Sequence, residues 1–203
     1  MISSPPLSAT DRAIFRRELR QKRRALSPSQ QKIAAQRLAR HLAALPALQQ
    51  ARRIALYWPV DGEIDARALA HQSNFSRHDF YLPVLQAFPA NTLRFARWPQ
   101  AQRQQRNRFG IPEPRGRRAL PAQKMDAILL PLTGFDAQGN RLGMGGGFYD
   151  RTLAFKRRCG HKSAGKPLLI GVAHACQQVP SLPAADWDVG LPLVVTDRKI
   201  FRK

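Results

Sequence analysis

Residues 126–150 read DAILLPLTGFDAQGNRLGMGGGFYD. The opening run, Asp126 to Leu132, is short, apolar and rich in Leu and Ile, the pattern of a buried strand. Gly143, Gly145, Gly146 and Gly147 then crowd one loop, and a helix is predicted from about Phe148 to Arg157. Strand, glycine-rich loop and helix in succession form a unit of an α/β protein. Outward from it, RIALYW (Arg53 to Trp58), Asp79 to Val84, Leu93 to Trp98, LLIGVA (Leu168 to Ala173) and Leu193 to Thr196 predict further strands. Upstream, Thr10 and Asp11 can cap a helix running to about Ala25. Ser27 opens a second helix, with Pro28 at its first position and Gln30 completing a capping box, and this helix stops near Pro46. Asp65 caps a short helix ending at Gln72. Helices alternating with apolar strands predict an α/β fold with a largely parallel central sheet. Residues 1–9 are predicted as a flexible N-terminus and 10–203 as a single domain, with 99–124 and 158–167 as surface connections.

The chain has 203 residues, 43% hydrophobic and 23% charged, which excludes disordered and collagen-like classes. No apolar stretch approaches the ~20 residues a spanning helix needs, so no membrane is expected. The N-terminus lacks the apolar core of a secretory signal. Cys159 and Cys176 fit no metal or redox spacing, which points to a reduced cytoplasmic protein. Charge is the unusual property: 34 Lys+Arg against 13 Asp+Glu give a formal +21. Such a surface attracts polyanions, whether nucleotides, polycarboxylates or nucleic acid. The dominance of Arg over Lys suits bidentate capture of phosphate or carboxylate, and fits a general Arg bias equally well.

The glycine loop carries the strongest chemical signal. Its backbone can approach a ligand closely and present several N–H groups, and a following helix N-terminus adds partial positive charge. Together they suit phosphates. Arg141 can add a fixed charge, and Asp150, in the first helical turn, can hold Mg²⁺ bridging phosphate oxygens. The loop lacks the Lys-Ser/Thr end of a P-loop. A plain tight turn, with Asp150 as a helix-terminus charge, is the alternative. Asp61-Gly62-Glu63-Ile64-Asp65 follows a buried strand, where open α/β sheets bind ligand. Glu63 could accept from an amide-and-amine edge such as a pterin's, or be part of a turn. Arg12 and Arg16 lie four residues apart on one helical face and can reach one anion, or form a solvated basic face with Arg20 and Arg23. His174 follows a strand and could sit in a cleft. Tyr57, Trp58, Phe80 and Tyr81 read as sheet core rather than a stacking platform.

These residues resemble the 5-formyltetrahydrofolate cyclo-ligase family, also called 5,10-methenyltetrahydrofolate synthetases, from about Arg12 to Thr196. The resemblance rests on Arg12 and Arg16 with Arg24-Ala25-Leu26-Ser27, on Asp61 to Asp65, on Ile111-Pro112-Glu113-Pro114, and above all on Asn140 to Arg151. It implies a three-layer α/β sandwich of the ribose-phosphate-isomerase and CoA-transferase-like kind. It also implies ATP-dependent cyclisation of 5-formyltetrahydrofolate to 5,10-methenyltetrahydrofolate, with ADP and phosphate released and Mg²⁺ required. By the same resemblance Arg12, Arg16, Arg141, Leu142, Gly143, Met144, Gly145, Gly146, Gly147, Phe148 and Tyr149 would contact ATP. Glu63, Phe109 and Met144 to Phe148 would contact the folate, and Asp150 would bind Mg²⁺. Many members carry Lys where this chain has Arg12. Many also have a second acidic residue where this chain has Pro192, so that Asp188 substitutes or the metal keeps one protein carboxylate.

The implied chemistry needs positioning and charge stabilisation rather than a protein nucleophile, in keeping with the lack of any nucleophile–base constellation. Polyglutamated folates are expected partners, their extra carboxylates meeting Arg103, Arg106 and Arg108. A basic nucleic-acid-binding module, resting on the charge and the Arg clusters at 12–24 and 94–118, is the alternative function. A nucleotide-binding regulator without activity is a third, favoured only by Pro192.

Overall fold

A computed structural model describes residues 9–86, 90–98, 104–115, 118–158, 165–182 and 189–203. Residues 1–8 of the expected flexible N-terminus lie outside them, as do Arg103, Cys159, His161 and Asp188. Helix α1 spans Ala9–Arg24, starting one residue before Thr10, so Asp11 sits in its first turn rather than capping it. Helix α2, Pro28–Ala43, begins as its sequence dictates. The Ser27 hydroxyl accepts from the Gln30 N–H at 3.3 Å and the Gln30 side chain accepts from the Ser27 N–H at 2.8 Å. Ser27→Ala removes half of this reciprocal cap and is expected to lower stability by about 1 kcal/mol, read as a shift of the urea midpoint with unchanged slope.

A one-turn helix α3 (Pro46–Gln49) leads into β1 (Arg53–Ala55), β2 (Asp79–Leu85) and β3 (Leu93–Arg97). A hairpin follows, β4 (Gln104–Arg106) with β5 (Pro112–Pro114), then β6 (Ala127–Pro131). Short strands β7 (Gly134–Phe135) and β8 (Arg141–Leu142) precede α4 (Phe148–Thr152) and α5 (Phe155–Arg158). Strands β9 (Leu168–Ala173), β10 (Leu193–Thr196) and β11 (Ile200–Arg202) complete the chain. The main sheet runs β11-β10-β9-β6-β1-β2-β3. Its five inner strands are parallel, and antiparallel β11 and β3 close its edges.

Both faces of the sheet are covered. Ala127 and Leu129 pack with Leu38, Leu42 and Ile54 on one side, while Ile128 and Leu130 pack with Phe95, Met125 and Leu153 on the other. That two-sided burial explains why β6 reads as an unbroken apolar run.

Two expectations are corrected. Residues 99–124 are more than a surface connection, because they contain the β4–β5 hairpin. Asn107 builds its tip: its side-chain oxygen accepts from the Phe109 and Ile111 N–H groups at 2.9 and 3.1 Å. The expected helix from Phe148 to Arg157 is broken into α4 and α5. The Thr152 hydroxyl donates back to the Phe148 carbonyl at 2.7 Å and accepts from the Leu93 N–H at 2.8 Å, which favours ending the helix there.

Candidate active site

Beyond the carboxyl ends of β1, β2 and β6 lies a cavity of about 910 Å³. It is bordered by Arg12, Arg16, Glu63, Phe109, every residue from Arg141 to Tyr149, and Asp150. The sequence-nominated residues, drawn from four separate segments, therefore face one space.

The glycine loop leaves β8, which pairs with β7 and so fixes where the loop begins. Gly145 has φ +98° and Gly147 φ +65°, conformations that side chains rarely adopt. A Cβ on Gly145 would also lie 3.6 Å from the Arg16 guanidinium. Arg16 crosses from α1 and donates to the Gly143 carbonyl at 2.9 Å, tying the helix to the loop. Because α4 has only five residues, the cationic character of this cradle comes mainly from Arg12, Arg16 and Arg141 rather than from a helix terminus.

Arg141 is buried and donates to the Val189 carbonyl at 3.1 Å and to the Asp150 carboxylate. Asp150 is partly exposed, with one oxygen engaged by Arg141. Among the described residues no three His, Cys, Asp or Glu side chains converge on a metal position, and Pro192 offers no side-chain donor. One carboxylate completed by water and phosphate oxygens is an accepted donor set for Mg²⁺, so Asp150 suits that mode.

Glu63, on the turn after β1, is a buried carboxylate that also borders the cavity. The Val60 N–H donates to its Oε2 at 3.1 Å, and an Arg23 nitrogen lies 3.9 Å from its Oε1. Burial raises its carboxyl to about 7, with Arg23 and the Val60 N–H opposing the rise and Asp61 adding to it. Burial alone would also raise Asp61, but hydrogen bonds from Arg20, Arg24 and Arg23 outweigh it and hold that carboxyl below its usual range. Asp65 caps a 3-10 turn at Ala66–His71 and pairs with Arg67, as its sequence position implies. Near Glu63, the Tyr57 hydroxyl donates to the Ile64 carbonyl at 2.5 Å. The buried Tyr149 hydroxyl has no hydrogen-bond partner among the described residues.

The remaining wall is apolar. Phe109, at the hairpin tip, meets Phe148 edge-on with 5.7 Å between ring centroids, and the Arg108 guanidinium lies 5.0 Å from the Phe109 ring. Leu85, Leu93, Ile111 and Trp58 extend this surface. Tyr57, Phe80 and Tyr81 are core as expected, Tyr57 also touching the cavity; Trp58 is only partly buried and lines it, which corrects its assignment to the core. His174 does not line the cavity; it is buried, and burial lowers its pKa. Sequence reasoning missed Arg23, Asn107 and Glu113 as parts of the site. Only Glu113 carried a signal, its place in Ile111 to Pro114. It is buried at the cavity edge, accepting from the Leu85 N–H and the Asn107 amide at 2.9 and 2.8 Å, so it anchors the hairpin to β2.

Residues 8–197 match a family model described as the 5-formyltetrahydrofolate cyclo-ligase family. The chain is 40% identical over 185 residues to a 5-formyltetrahydrofolate cyclo-ligase of Escherichia coli (strain K12), covering 90% of this chain and 98% of the relative. It is 40% identical over 187 residues to a protein of the same name from Haemophilus influenzae, covering 91% and 97%. The solved structure of Aquifex aeolicus 5,10-methenyltetrahydrofolate synthetase superposes with a TM-score of 0.79 at 28% identity, covering 94% of this chain and 92% of that one.

Proposed function

The chain belongs to the 5-formyltetrahydrofolate cyclo-ligase family and is a ligase of folate metabolism; from that premise we propose that it uses ATP and how its residues divide the work. One observation carries the reading: the glycine cradle and Glu63 border the same cavity, so a phosphate donor and a folate can meet there. Arg12, Arg16, Arg141 and the backbone from Leu142 to Tyr149 hold the ATP phosphates. Glu63 accepts from the pterin amide and amine edge, while Phe109 and the Met144 to Phe148 stretch cover the folate rings. Asp150 would hold Mg²⁺, whose charge screens the phosphate oxygens and lowers the cost of bringing them to another oxygen.

The formyl oxygen attacks the γ-phosphorus and ADP departs, leaving an oxygen-phosphorylated iminium at N5. N10 then attacks the former formyl carbon and loses its proton. The C–O bond breaks, phosphate leaves, and the 5,10-methenyl bridge remains. The chain's part is to align the two substrates and balance charge on the moving phosphoryl group, tasks suited to fixed guanidinium and N–H donors. The test is absorbance in the methenyl-folate band on mixing protein, 5-formyltetrahydrofolate and Mg-ATP. The band should grow only with ATP and match the ADP formed. A flat trace from folded protein would contradict the reading.

The basic hairpin serves the same substrate class. Arg108 sits at the cavity mouth over Phe109, and Arg106 donates to the Gly110 carbonyl at 2.7 Å; Arg103 lies outside the described residues. We expect KM to fall as glutamates are added to the folate, an advantage that shrinks with salt. Replacing Arg106 and Arg108 with Gln should bring the penta- and monoglutamate KM values together. A glutamate-independent KM in the unmodified protein, or tight duplex-DNA binding at physiological salt, would favour nucleic acid as the polyanion. The cytoplasm is the proposed compartment, in keeping with the free thiol of exposed Cys176.

A further inference from the structure

Arg23 is a wholly buried guanidinium. It leaves α1 beneath the Asp61–Glu63 turn. Its Nε donates to the Asp61 carbonyl at 2.8 Å and one terminal nitrogen to Asp61 Oδ2 at 2.9 Å. The same nitrogen reaches Met144 Sδ at 3.5 Å, and the other lies 3.5 Å from the Leu132 carbonyl and 3.9 Å from Glu63 Oε1. One side chain thus touches the Glu63 turn, the strand end at Leu132 and the glycine loop. The turn is left-handed at Asp61 and Gly62, with φ +54° and +76°, which Asp and Gly tolerate better than other residues. Burying a guanidinium is costly, and an apolar side chain is commonly as good for stability alone. Its planar fork is suited to fixing several acceptors at set angles.

We propose that Arg23 is a positioning residue of the folate site, holding the Glu63 carboxylate at one depth in the cavity and in register with the glycine loop. This rests on Glu63 being the pterin acceptor. The titratable groups facing Glu63 are Arg23 from α1, Asp61 on its own turn, Tyr57 after β1 and Tyr149 from α4. Tyr57 and Tyr149 are held neutral by burial, so Arg23 is the cation that sets where Glu63 ionises.

Arg23→Met, Arg23→Lys, Glu63→Gln and the Arg23→Met/Glu63→Gln double variant should be compared by steady-state kinetics across pH. Arg23→Met is expected to raise KM for 5-formyltetrahydrofolate about tenfold, to change KM for ATP by less than about threefold, and to move the acid limb of kcat/KM for folate up by about one pH unit. Arg23→Lys should restore the pH midpoint but only part of KM, since an ammonium keeps the charge without the fork. In the Glu63→Gln background, Arg23→Met should add less than about threefold. An unmoved midpoint, equal losses for both substrates, or a fully multiplicative double variant would overturn the inference, because a merely structural Arg23 gives those results. Should Arg23→Met fail to fold, Asp61→Asn, which weakens one anchor of the same fork, takes its place with the same KM criteria. A Glu63→Gln variant with unchanged folate KM would remove the reading beneath the inference. An effect there with none at Arg23 would remove Arg23's role alone.

Discussion

Asp150→Asn is expected to lower kcat by about a hundredfold at saturating folate and ordinary Mg²⁺, the usual scale for losing one charge aimed at a transferring group. The carboxylate lies beside the glycine cradle and is held by Arg141. An amide of the same shape fills the space but cannot neutralise a divalent cation. Folate affinity should stay close to that of the unmodified protein, since the pterin acceptor is Glu63 on the turn after β1 rather than Asp150. The substitution also leaves the buried Arg141 guanidinium without its carboxylate, so stability should fall by about 1–3 kcal/mol; activities must be compared below the variant's melting transition. The decisive curve is turnover against Mg²⁺ concentration. Half-saturation should move to much higher Mg²⁺, and an unchanged curve would remove the metal role from Asp150.

Glu63→Gln is expected to raise KM for 5-formyltetrahydrofolate about 10–100-fold, corresponding to roughly 1–3 kcal/mol for a buried donor left facing the wrong partner. ATP affinity should hardly move. The pH behaviour is more diagnostic. Burial raises the Glu63 carboxyl from 4.5 to about 7, so between those values the folded chain binds a proton that the unfolded chain has lost. The stability this proton supplies is complete below about 4.5 and is lost as pH rises through about 7, on the order of 3 kcal/mol in all. Gln removes that dependence. The variant should therefore be the less active protein at pH 8 and yet the more stable one, with a flatter stability curve between pH 5 and 8. In the unmodified enzyme, kcat/KM for folate should climb through about pH 7 as Glu63 ionises, and the climb should vanish in the variant. Equal losses for ATP and folate, with lowered stability at pH 8, would mark Glu63 as structural.

The fold was legible where local chemistry and tertiary demand agree. Ser27, Pro28 and Gln30 specify a helix start whatever packs around it, and β6 announces its two-sided burial by composition. Strands β4, β5, β7, β8 and β11 were not legible because each is only two or three residues long and, unlike equally short β1 within its apolar run to Trp58, has no longer apolar stretch around it. Pro112 and Pro114 also argue against a strand locally, although an isolated hairpin tolerates them. The break after Thr152 depends on a hydroxyl that bonds across to Leu93, a partner 59 residues away. Within the site, the glycine loop stood out because clustered glycines are costly without a use. Arg23 did not, since one arginine among Arg20, Lys22 and Arg24 looks like a solvated face until the Asp61 turn folds onto it.

The central claim, that the cavity brings the formyl oxygen to the γ-phosphorus, can be tested with ¹⁸O in the formyl group of 5-formyltetrahydrofolate. Phosphorylation of that oxygen followed by C–O cleavage carries the label into inorganic phosphate, one atom per methenyl product. Phosphate carrying a single ¹⁸O, with unlabelled ADP, is the expected result from mass spectrometry of the products. Label released into water, with unlabelled phosphate, would contradict formyl-oxygen phosphorylation in this site.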